Sequence, residues 1–163
     1  MKPPKILIAG IGNELRQDDA FGMEFIQRWN KEVSLPAHIK TMEVGIGGIH
    51  LVQELHAEYD ILIMADAVDW GEESGKIFFQ EVEKISDIEE MPFDEKRAFL
   101  ADMHYTNPTR ALMLAKALNV LPEKIYILGC QSAQHDDFAI GMSEQVNNAI
   151  PKAIEKLRTW LQI

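Results

Sequence analysis

The sequence predicts an α/β fold: a single domain over residues 1–163, three layers deep, with a mostly parallel, twisted five-stranded sheet, one antiparallel strand and helices on both faces. Three observations predict it. Short apolar runs alternate with amphipathic stretches along the chain, the pattern of strands linked by crossover helices. The runs "KILIAG" (5–10), "DILIMADAV" (60–68) and "KIYILGC" (124–130) are apolar almost throughout, as expected of strands covered on both faces. The chain has 163 residues, of which 47% are hydrophobic and 26% charged, enough for one domain with its own core.

Taken in order, the first strand is followed by an amphipathic helix over Phe21–Trp29. A second strand, "IKTMEVG" (39–45), leads to a helix over Ile49–His56. Between the third strand and a fourth, "KIFFQEV" (76–82), stands only "DWGEESG", too short for a crossover helix. The fourth strand therefore either forms a hairpin with the third or lies antiparallel at an edge. Residues 83–103 are acidic and weakly periodic, a surface excursion with room for one short helix. A helix over Pro108–Leu118 follows, with Asn107 at its N-cap and Pro108 at its first position. The fifth strand leads to a last helix over Ser143–Leu161, capped by Ser143 and bent near Pro151.

Composition narrows the functions. Sixteen Lys and Arg against 26 Asp and Glu give a net charge of −10. With no basic cluster, the chain is a poor partner for nucleic acid or an anionic membrane, both of which are bound through phosphates. Its one cysteine, Cys130, rules out an intrachain disulfide and a CxxC metal site, and its apolar setting marks a buried small residue. The N-terminal residues lack the apolar stretch of a signal peptide, and no run reaches the roughly 18 residues of a membrane span. A cytoplasmic protein is the expectation.

In an open α/β sheet, ligands bind beyond the carboxyl ends of the strands. The loops there read "GIGNELRQDD", "GIGGIH", "ADAVDWG" and "CQSAQHDDFAIG", joined by "MHYTNP" ahead of a helix. The first loop is not a dinucleotide fingerprint, because Leu15 stands where G-x-G-x-x-G needs its third glycine. No phosphate-facing Lys follows either, and Asp18 and Asp19 at a helix start would repel a pyrophosphate. One of that pair, assigned as Asp18, caps the helix; the other, Asp19, is free to face the cleft. Asp66 ends an apolar strand, where an unpaired carboxylate is costly. It serves there as a ligand or general base, or caps a neighbouring loop, while Asp69 is solvated. His104 gains weight from two carboxylates converging on the same edge. His135 occupies a post-strand loop too, whereas His38, His50 and His56 form no ligand pattern.

The stretch "ILIAGIGNELRQDDAFG" resembles the opening motif of the hydrogenase maturation proteases, G-x-G-N-x-L-x-x-D-[DE]-x-x-G, with Gly10, Gly12, Asn13, Leu15, Asp18, Asp19 and Gly22 in register. The likeness continues through "EVGIGGIHL", "ILIMADAV" and "MHYTNPTRAL", nearly the whole chain, with Ile46 in place of a small hydroxyl residue. The resemblance implies an aspartic-type endopeptidase that trims the C-terminus of a nickel–iron hydrogenase large-subunit precursor and so activates it. It implies a metal-binding, catalytic trio at Asp19, Asp66 and His104. The nickel, on this resemblance, is carried by the substrate, and the free protein need hold no metal or other cofactor. The expected partner is the precursor, met by a monomer. Two alternatives stay open: a non-proteolytic, metal-sensing binding module on the same fold, and a nucleotide- or nucleoside-binding domain.

Overall fold

A computed structural model describes residues 2–12, 20–45, 48–101, 108–133 and 142–163. The strands are β1 (Ile6–Ile11), β2 (Ile39–Gly45), β3 (Ile61–Val68), β4 (Ile77–Glu81) and β5 (Lys124–Gln131). The helices are α1 (Phe21–Glu32), α2 (Gly48–Leu55), α3 (Phe93–Ala101), α4 (Pro108–Ala117) and α5 (Glu144–Leu161). The strands form one sheet in the order β2-β1-β3-β5-β4, parallel except for β4, which runs antiparallel to β5. Of the two placements open to β4, the edge position is the one observed.

The three runs that are apolar throughout are the three inner strands, and helices cover both of their faces. On one face, Phe21, Phe25, Ile26 and Trp29 of α1 pack with Val146, Ile150 and Leu157 of α5 against Ile8, Ile63 and Leu128. On the other face, Leu51, Val52 and Leu55 of α2 and Leu112 and Ala115 of α4 cover Leu7, Leu62 and Met64. The chain moves outward from β1 to β2, then reverses across β1 to reach β3. Right-handed crossovers then require opposite faces for α1 and α2, as observed.

Among the described residues, the 83–103 excursion holds a 3-10 turn at Ile88–Glu90 and the helix α3. Helix α5 is capped by Ser143, whose Oγ accepts from the amide of Val146 at 3.4 Å, and it continues through Pro151. The N-cap of α1 falls on Ala20, which has no side chain able to cap. Asp18 itself lies outside the described residues.

Candidate active site

The reversal of strand order leaves β1 and β3 side by side with their connections leaving in opposite directions. The crevice beyond their carboxyl ends is where ligands enter such sheets. Two glycines bring α1 close to this point. A Cβ on Gly22 would collide with the backbone carbonyls of Ile11 and Ala65, and one on Gly10 with the Gly22 carbonyl and the Ile26 side chain. Gly22 thus does the close helix-to-strand packing that the sequence reading sought at position 15. Gly12 leaves β1 at φ 142°, a conformation that favours glycine.

Asp66 stands directly beyond that contact, on the central strand. It is partly buried and lies in register with Gly129 of β5. Side chains alternate along a strand, so Asp66 shares the α2/α4 face with Leu62 and Met64. The other two members of the trio, Asp19 and His104, lie outside the described residues, as do Ile46, Asn107 and His135. Among the described residues no three His, Cys, Asp or Glu side chains gather as a metal site. His56, at the end of α2, is exposed, with Nδ1 3.0 Å from the Val52 carbonyl. Cys130 is fully buried, as its apolar setting implies.

The turn between β3 and β4 is held by a residue that the sequence did not single out. Gln131, 3% exposed, ends β5. Its Oε1 accepts from the amides of Trp70 at 2.8 Å and Glu72 at 3.4 Å. Its Nε2 donates to Asp69 Oδ1 at 3.2 Å and to the Ser132 carbonyl at 3.1 Å. Asp69 is exposed, as expected, and also accepts this hydrogen bond from Gln131. The signal available was an amide side chain closing an apolar strand, where it must find partners. On the far side of the turn, Gly75 at φ 87° passes so close to the Gln145 carbonyl that a Cβ would lie 2.7 Å from it. Trp70 projects from this fixed turn, 44% exposed, with its ring 4.9 Å from that of Phe78.

At the opposite edge of the sheet a second polar cluster serves the fold. Glu54 accepts from Lys40 Nζ at 2.7 Å and Tyr59 Oη at 2.6 Å. Those hydrogen bonds, Lys40 first and Tyr59 second, hold its carboxyl below the usual range. Burial, then the bond to Glu54, pushes the Tyr59 phenol well above its usual range.

Three layers, with a carboxylate near the topological switch point of the sheet, define an α/β protein of the kind that takes its ligands beyond the carboxyl ends of the strands. The sequence profile of the HycI hydrogenase maturation proteases matches residues 23–160. The chain is 32% identical to the hydrogenase expression/formation protein HupD of Rhizobium leguminosarum, over 96% of this chain and 76% of that one. Its fold is similar to that of the hydrogenase maturating endopeptidase HybD of Escherichia coli, with a TM-score of 0.74, 23% identity, and 97% and 92% of the two chains covered. It is similar also to a hydrogenase 2 maturation peptidase from a Thaumarchaeota archaeon, with a TM-score of 0.70, 25% identity, and 97% and 98% covered. The chain belongs to the hydrogenase maturation protease family, a family of endopeptidases. No helix among the described residues is long and apolar enough to cross a membrane.

Proposed function

We propose that this protein removes the C-terminal extension of a nickel–iron hydrogenase large-subunit precursor once nickel has been inserted. The observation that carries the proposal is Asp66, held at the β1–β3 switch point of a member of the maturation protease family. The cut is a hydrolysis: water adds to the scissile carbonyl, the C–N bond breaks, and the leaving amine takes the proton. Asp66 serves either as the base for that water or as a ligand to the ion that activates it.

Asp19, Asp66 and His104 form the proposed site around the precursor's own nickel. The donor chemistry supports this. Two carboxylates and an imidazole complete the coordination of a borderline divalent ion without thiolates that would strip it from the substrate. On this account nickel is part of what is recognised, the enzyme works as a cytoplasmic monomer, and the precursor is its macromolecular partner.

The test is to incubate the protein with nickel-loaded and nickel-free precursor and to read the precursor's intact mass. Shortening of the nickel-loaded form alone is the expected result. Equal shortening of both forms would remove nickel from recognition. Stable binding without shortening would instead make the protein a metal-sensing binding module.

A further inference from the structure

A row of three positions crosses the sheet at the height of Asp66. Asp66 pairs with Gly129, and Gly129 pairs with Phe78 on the antiparallel edge strand. Residues paired across neighbouring strands share a face, so all three look toward the same side of the sheet. The middle position carries no side chain, and the space above it is used. A Cβ on Gly129 would lie 3.0 and 3.2 Å from the two methyls of Val68, and 3.7 Å from Cη2 of Trp70. Val68 and the edge of Trp70 thus share the space above Gly129, the strand position next to Asp66, and Trp70 meets the Phe78 ring edge to face at 4.9 Å. Its backbone is fixed by the buried Gln131, yet 44% of its surface stays exposed. A large, open aromatic on a fixed backbone, over the strand next to that of a candidate catalytic carboxylate, is the kind of group that dominates peptide recognition.

Resting on the function proposed above, we infer that the precursor polypeptide runs from Asp66 toward β4, and that Trp70 and Phe78 seat one of its side chains. Two strand spacings separate Asp66 from Phe78, about 10 Å, which an extended chain spans in about three residues. The seated side chain therefore stands about three positions from the scissile bond. It is apolar: Lys76 Nζ already sits 5.3 Å over the Phe78 ring and repels a second cation there. Trp70 is a substrate-positioning residue and takes no part in the proton transfers.

The experiment compares the full chain with its Trp70→Ala and Trp70→Phe variants on the nickel-loaded precursor. It also uses precursors in which each apolar residue two to four positions from the cut is changed singly to Ala. Trp70→Ala is expected to raise KM about tenfold with kcat little changed and with the thermal midpoint near wild type. Trp70→Phe should recover most of that loss. Against Trp70→Ala, the damaging precursor substitution should cost nothing further, because its partner is already gone. Wild-type KM in Trp70→Ala, or costs that simply add, would overturn the inference. If the unaltered protein binds the precursor without cutting, the proposed activity fails and the same comparison is read in Kd. If the unaltered protein does not bind at all, the proposed function and the inference fall together.

Discussion

Asp66 and Glu54 are two partly buried carboxylates at opposite edges of one sheet, and their surroundings assign them different work. Glu54 is held in its charged form by Lys40 and Tyr59, and it ties the end of α2 to the start of β2. A carboxyl depressed in the folded state contributes stability above its unfolded pKa of about 4.5 and loses it as pH falls through the folded value. Tyr59→Phe should therefore cost about 1 kcal/mol at pH 7. Urea unfolding of the two proteins should show that difference shrinking as Glu54 becomes protonated. Asp66, by contrast, lies beside the crevice. Asp66→Asn keeps the shape of the side chain but removes the charge. It should slow precursor processing at least about a hundredfold while the thermal midpoint stays close to wild type. Undiminished cleavage by this variant would take Asp66 out of the mechanism.

At the scale of the element, the closest fit in the fold is that of the α1 start against β1 and β3. Backbone carbonyls surround Gly22 and cannot move aside as a flexible side chain would. Gly22→Ala should destabilise the protein by about 2 kcal/mol or more, read from denaturant midpoints. Continuous apolar runs predicted the inner strands because burial on both faces leaves no room for alternation. The N-cap of Ser143 and the start of α4 at Pro108 were equally legible, since both rest on local chemistry. The partner of β4 was not. Its pairing with β5 is a contact between distant parts of the chain, and a short connection to β3 fits a hairpin as well as an edge. Gln131 escaped notice for a related reason: its partners at 69–72 meet it only after folding.

Across the whole molecule, the site depends on topology more than on any single motif. The switch from β1 outward to β2 and back to β3 leaves Asp66 on the central strand and opens the crevice beyond the carboxyl ends of β1 and β3. The motif around Gly10, Gly12 and Gly22 was visible in the sequence, but its packing meaning lies in the contact with Ala65 and Ile11. The aromatic ledge could not be read in advance, because it needs the register that sets Asp66, Gly129 and Phe78 in one row. The net charge of −10 argued against a phosphate-rich partner and left a protein substrate open. What joins these levels is the claim that Asp19, Asp66 and His104 meet around the nickel of the bound precursor. The most direct measurement is anomalous diffraction from crystals of the protein soaked in nickel or cadmium. The account predicts one peak bridging the Asp66 carboxylate, the Asp19 carboxylate and the His104 imidazole. Side chains held apart, with metal bound elsewhere on the protein, would contradict it.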